Sequence, residues 1–121
     1  MYGQTAAQAY QAVEKTATSP RELEAFILTK AASKFQIIIN DWENQKHNLA
    51  DALKYNQKLW TIFVANATDP QSTLPLALRN NITNLGIFVF KRTNELMIEG
   101  NPRKLEILAS INRELSMGLR S

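Results

Sequence analysis

The sequence contains no cysteine and a single histidine, His47, among its 121 residues. The absence of cysteine excludes a disulfide-stabilised scaffold, a thiol nucleophile, a zinc ribbon and a cysteine-ligated iron–sulfur cluster. A single histidine excludes a metal site built from several histidines of one chain. Glycine and proline are also scarce, with four residues of each, which excludes collagen-like and low-complexity architectures.

Long hydrophobic runs and a strong charge of one sign are absent as well. The longest strongly apolar stretch, Leu85–Phe90, is interrupted by Gly86, whereas a membrane-spanning helix needs about 20 apolar residues. Residues 1–19 have neither a basic start nor a continuous apolar stretch, so we expect no secretory signal and a cytoplasmic location. The net charge is only +3, and its dispersed basic residues argue against a nucleic-acid partner.

The residues that are present predict one helical domain over 1–121. Apolar side chains recur every three to four residues, and the breaks between these segments carry helix-start and helix-stop signals. Ser19-Pro20-Arg21-Glu22 forms a capping box, and Asn101-Pro102 places a capping side chain before a first-turn proline. The first of four predicted long helices begins at Pro20 and runs to a turn or kink at Asn40 and Asp41, and the second covers about 44–67. The third begins near Pro75 and is ended by Gly100, and the fourth begins at Pro102, with an apolar stripe that extends to Leu119. Because their connections are short, we predict an all-α fold, an antiparallel up-and-down bundle, with a short N-terminal helix over about 3–16.

Polar residues interrupt two of the apolar stripes. Asn56 lies at helical spacing with Leu53, Trp60 and Phe63, and Asn112 flanks an apolar stripe in the last helix. A buried asparagine without a hydrogen bond costs about 1–3 kcal/mol, and a buried indole N–H also needs a partner. We therefore predict Asn56, Asn112 and Trp60 as polar contacts that fix the register of the helices, with a mutual Asn56–Asn112 link as one arrangement. The alternative is that Asn56 contacts a binding partner in a groove.

Gly86 is the unusual glycine, because it lies within a predicted helix. Glycine in a helix costs about 1 kcal/mol relative to alanine. The residue either allows a neighbouring helix to approach closely or is simply tolerated.

The residues capable of catalysis are few and form no known catalytic motif. His47 lies in a polar segment typical of a protein surface. The carboxylates of Glu22 and Glu24, and those of Asp41 and Glu43, are two residues apart and therefore point in different directions on a helix. We interpret them as solvated charges near helix ends. Neither a phosphate-binding loop nor a nucleophile elbow is present, so we expect a binding protein and not an enzyme, with no cofactor.

The order and spacing of short motifs along nearly the whole chain resemble the FlaF family of flagellar biosynthesis regulators from alphaproteobacteria. The matching positions are Ala9-Tyr10, Pro20-Arg21 with Glu24, the segment from Leu53 to Trp60, Leu74-Pro75, Leu78-Arg79, Ile82, Leu85, Val89, Ile111-Asn112-Arg113 and Gly118-Leu119. The resemblance implies a cytoplasmic, non-enzymatic factor needed for the production and secretion of flagellin. It also implies flagellin and the companion regulator FlbT as partners, in a role comparable to that of the helical export chaperone FliS.

Helical bundles with surplus apolar surface bind amphipathic helices in grooves, and the terminal segments of flagellin are such helices. We therefore expect an export chaperone that holds one of them. The predicted partner-binding residues are Tyr55, Leu59, Ile62, Leu74, Arg79 and Phe88, with Trp60 and Phe63 supporting them from the core. The alternative is post-transcriptional regulation of flagellin, through its mRNA or together with FlbT. Only the net positive charge of the C-terminal part supports an RNA partner.

Overall fold

The computed structural model describes residues 19–120, and every regular element in that range is a helix. The long helices are α1 (Pro20–Asn40), α3 (Leu49–Thr68), α4 (Leu76–Ile98) and α5 (Pro102–Arg120). Between α1 and α3 lie the short helix α2 (Trp42–Gln45) and a 3-10 turn (Lys46–Asn48). The all-α prediction is confirmed. The predicted N-terminal helix, over about 3–16, falls outside the described residues.

Local capping explains where α1 and α5 begin. The Ser19 hydroxyl accepts a hydrogen bond from the Glu22 backbone N–H at 3.1 Å, and Pro20 occupies the first turn. At the start of α5, the Asn101 side chain accepts from the backbone N–H groups of Arg103 and Lys104 at 2.9 and 3.2 Å. These bonds satisfy backbone donors that have no partner within the helix.

The connection between α1 and α3 differs from the prediction. A continuous helix was expected from residue 44, but α3 begins only at Leu49. Side chains in this segment bond to one another: Asn44 donates to Asp41 at 3.0 Å, and Asn48 donates to Gln45 at 2.9 Å. Such short-range polar contacts are typical of turns and compete with a regular helix.

The long helices form two closely packed pairs. In the first pair, α1 and α5 approach through small residues: the Ser116 hydroxyl donates to the Ala25 carbonyl oxygen at 2.8 Å and lies 2.9 Å from the Thr29 hydroxyl. In the second pair, α3 and α4 meet where Gly86 faces Val64 and Trp60. Both pairs are antiparallel, because earlier residues of the second helix meet later residues of the first: Arg113 bonds to Gln36 of α1, and Arg79 bonds to Ala67 of α3.

The core lies between the two pairs and contains most of the predicted apolar stripes. Those of α1, α3 and α5 are buried throughout. The buried stripe residues are Leu23, Ile27, Ala31, Phe35, Ile38, Leu49, Ala52, Leu53, Asn56, Leu59, Trp60, Phe63, Leu105, Leu108, Ile111, Leu115 and Leu119. The stripe of α4 is only partly buried, because Leu78 and Leu85 retain some exposure.

Candidate partner-binding surface

A chain of buried polar groups joins the two helix pairs at the centre of the molecule. The Trp60 indole N–H donates to the Asn112 side-chain oxygen at 2.9 Å, and the Asn112 amide donates to the Asn56 side-chain oxygen at 2.7 Å. All three residues are 0% exposed. The structure thus contains the Asn56–Asn112 hydrogen bond that the sequence left open, and the indole has its partner in the same chain of bonds.

This arrangement places Asn56 in the core and not in a surface groove. Its side-chain nitrogen is buried and has no hydrogen-bond partner. A packing of α5 shifted by one residue would move Asn112 away and leave the buried Trp60 indole N–H and the buried Asn56 side-chain oxygen without their partner. The cost of such mispairing is how buried asparagines select one register in coiled coils.

Two of the predicted partner-binding residues are not on the surface. Leu59 is 1% exposed and Tyr55 is 8% exposed, so their expected surface position is wrong. Both lie on the edge of the α3 stripe that faces α1, where the Lys34 ammonium covers the Tyr55 ring at 5.0 Å from its centre. Burial raises the pKa of Tyr55, whose hydroxyl has no hydrogen-bond partner.

Arg79 caps a helix end instead of offering a free charge. Its Nε donates to the Ala67 carbonyl oxygen at 2.8 Å, and its Nη2 donates to the Asp69 carbonyl oxygen at 3.2 Å. These carbonyl groups lie at the C-terminal end of α3, where unpaired acceptors and the helix dipole favour a cation. The side chain therefore fixes the connection between α3 and α4.

The other three predicted residues do not form one surface. Ile62 is 42% exposed, but it precedes Val64 by two residues, and Val64 packs against α4. Successive helical positions are about 100° apart, so Ile62 points away from α4. Leu74 and Phe88 are half-buried at the edge of the core.

Phe88 instead faces the gap between α4 and α5. It shares one face of α4 with Leu85 and Arg92, since these residues are three and four positions away. Arg92 lies 5.0 Å above the Phe88 ring, pairs with Glu95 at 2.9 Å, and donates to the Lys104 carbonyl oxygen of α5 at 3.2 Å. These contacts close one end of the gap.

Apolar side chains line both sides of this gap, which we call the α4–α5 seam. Ile107 of α5 is 41% exposed and shares a face with Ile111. That face is half a turn away from Ser116, which contacts α1. α5 packs far less closely on α4 than on α1, and Leu78, Leu85, Phe88 and Ile107 keep part of their surface exposed. We define the seam by these four residues together with buried Ile111 at its base.

The burial of Glu24 was not predicted from the sequence. It was expected to be solvated, but it is only 9% exposed, because it lies on the inward-facing stripe of α1 with Leu28 and Ala31. Burial raises the pKa of Glu24 and outweighs the opposing effect of the Arg21 charge. Only the pairing of α1 with other helices buries it, so no local motif signals the burial.

Neutralising Glu24 should remove a pH-dependent loss of stability. Because its pKa is raised in the folded state, its contribution to the free energy of unfolding is fully present below the ordinary value of 4.5. The contribution declines as the pH rises through the raised pKa. We expect Glu24→Gln to raise the melting temperature at about pH 7 and to leave it nearly unchanged at about pH 4. Thermal unfolding at both values measures this, with the exposed Glu114→Gln as the control; equal effects of Glu24→Gln at both would contradict it.

The remaining chemistry-bearing residues lie on the surface. His47 is exposed in the 3-10 turn, and exposed Glu43 pairs with Lys46 at 3.1 Å. Within residues 19–120, no three His, Asp or Glu side chains are grouped as a metal site requires. No helix in this range is long and apolar enough to cross a membrane.

Over residues 19–120 the fold is that of an all-helical protein with a partly exposed apolar seam between two of its helices. A family model described as "Flagellar protein FlaF" matches residues 6–119. The chain therefore belongs to the FlaF family, and its role lies in flagellar biosynthesis. No curated protein and no solved structure matches it.

Proposed function

We propose that this protein binds a terminal amphipathic helix of flagellin in the α4–α5 seam and keeps that segment soluble before export. Membership of a flagellar family supports flagellin as the partner. The observation that carries the proposal is the combination of half-buried Leu85 and Phe88 on α4 with exposed Ile107 on α5. A third helix laid in this gap buries apolar surface that the two helices leave uncovered.

The energetics suit a reversible complex. Burial of apolar surface contributes roughly 25 cal/mol per Å², and ordering a flexible segment offsets part of that gain. Because the seam side chains are already partly buried in the free protein, the net gain is moderate. Release to an export apparatus requires such moderate affinity.

Calorimetric titration with flagellin and with peptides of its two termini tests the proposal. We expect Ile107→Glu to weaken binding at least about tenfold, because a charge replaces an apolar contact at the seam. Ile37→Glu is the matched control, since Ile37 is an exposed isoleucine of α1 (58%) away from the seam. Absence of wild-type binding at tens of micromolar would exclude the chaperone function, and equal weakening by both variants would exclude the seam.

The alternative, regulation of flagellin through its mRNA or with FlbT, has less support. Of the cations near the junction of α4 and α5, the Arg92 guanidinium pairs with Glu95 at 2.9 Å, which leaves only the exposed Arg103 and Lys104 as a small basic cluster for RNA. RNA binding that weakens steeply as the salt concentration rises would favour this alternative. A pull-down with FlbT alone tests it as a separate partner.

A further inference from the structure

The outward face of α4 carries three strongly exposed aliphatic residues at equal intervals. Leu76, Ile87 and Ile98 are 69%, 66% and 88% exposed, and each is 11 residues from the next. Eleven residues are close to three helical turns, so the three side chains form one straight row along the helix. This row lies on the opposite side of α4 from the buried Ile82, Val89 and Leu96.

The row is symmetric about Ile87. Leu76 and Ile98 are equally far from it, and so are Asn80 and Asn94, each seven residues away. Two antiparallel copies of α4 crossing at Ile87 would therefore place Leu76 opposite Ile98 of the other copy. They would also place Asn80 opposite Asn94 of the other copy. Such self-matching is what a two-fold interface requires, because the same patch serves both partners.

The charges on this face also permit self-association. Residues 76–94 contain three cations. Arg79 bonds to the end of α3 and Arg92 pairs with Glu95, so Lys91 is the exposed cation next to the row. Lys91 is four residues from Ile87, and Thr83 is four residues away on the other side. In the antiparallel pair, Lys91 would thus lie opposite neutral Thr83 of the other copy, and like charges would not meet.

We propose that the protein forms an antiparallel homodimer through the α4 row of Leu76, Ile87 and Ile98. A single helix from each copy forms a small interface, below the roughly 1,200 Å² of stable complexes, so the dimer is weak and concentration-dependent. The seam faces α5 and lies on another side of α4. The dimer is therefore independent of flagellin binding, and failure of one proposal leaves the other standing.

Sedimentation velocity of the full chain, from about 5 to 200 µM, tests the dimer. We expect the wild type to shift toward dimer with concentration and Ile87→Lys to remain monomeric, because it brings two cations together on the axis. Ile37→Lys, at an exposed position of α1, should behave like the wild type. A wild type that is monomeric throughout, or a dimer that survives in Ile87→Lys, would overturn the proposal.

Disulfide trapping tests the antiparallel register, since the natural chain has no cysteine. We expect Ile87→Cys to form a disulfide with its own copy on oxidation. Leu76→Cys should cross-link efficiently only when mixed with Ile98→Cys, because two copies of residue 76 would lie about 33 Å apart along the helix axis. Efficient cross-linking of Leu76→Cys to itself would indicate a parallel pair and contradict the proposed register.

Discussion

Replacing Asn112 with leucine should lower the free energy of unfolding by about 2–4 kcal/mol, even though leucine has a similar size and is more apolar. Asn112 accepts from the Trp60 indole and donates to Asn56. Its removal leaves a buried donor and a buried acceptor without partners, and each costs about 1–3 kcal/mol. Chemical denaturation with fluorescence detection measures the loss.

The double variant separates this explanation from a packing defect. Asn56→Leu in the Asn112→Leu background removes the unpaired acceptor together with an amide nitrogen that already lacks a partner. We therefore expect Asn56→Leu/Asn112→Leu to be more stable than Asn112→Leu alone. Asn66→Leu, at an exposed position of α3, should change the free energy of unfolding by less than about 0.5 kcal/mol. A double variant less stable than Asn112→Leu would contradict the hydrogen-bond explanation.

Gly86→Ala should destabilise the protein by about 1–3 kcal/mol, the range seen for overpacking. At an open helical position the same substitution would be favourable, because alanine exceeds glycine in helix propensity by about 1 kcal/mol. A Cβ at Gly86, however, would overlap the Val64 Cγ2 methyl and lie 3.7 Å from Trp60 Cε3. Val64 cannot easily turn away, because β-branched side chains in helices have one strongly preferred rotamer.

Two comparisons test the steric origin of this effect by thermal or chemical unfolding. In a Val64→Ala background, Gly86→Ala should become neutral or stabilising by up to about 1 kcal/mol, since the overlapping methyl is gone. Gly118→Ala should be neutral or stabilising in the wild type, because a Cβ there meets nothing within 4 Å. If Gly86→Ala is equally harmful with and without the Val64 side chain, close packing of α3 and α4 at this point is not the cause.

Sequence signals predict those parts of the fold that depend on neighbouring residues. Ser19 and Asn101 cap their helices as expected, because the atoms involved lie within three residues of one another. The start of α3 at Leu49, and not at residue 44, was not predicted. Apolar spacing gives no information on side-chain hydrogen bonds such as the one from Asn44 to Asp41.

The candidate site was predicted less well, because it depends on how the helices pair. Tyr55 and Leu59 lie at the margin of an apolar stripe, and only the position of α1 and Lys34 determines that they are covered. The apolar spacing of α5 does not distinguish Ile107 from other helical positions. It belongs to the candidate site only because α5 packs loosely on α4 and leaves this side chain partly exposed. The distance between two helices cannot be derived from the periodicity of either one.

Amide hydrogen exchange of the protein with and without flagellin tests the binding site most directly, because it reports protection along the whole chain. We predict that flagellin slows exchange in the parts of α4 and α5 that line the seam, from Leu78 to Phe88 and from Lys104 to Ile111. The outer turns of α1 around Ile37 should remain unchanged. Protection confined to α1 and α3, or no protection under conditions where flagellin is bound, would contradict the assignment of the seam.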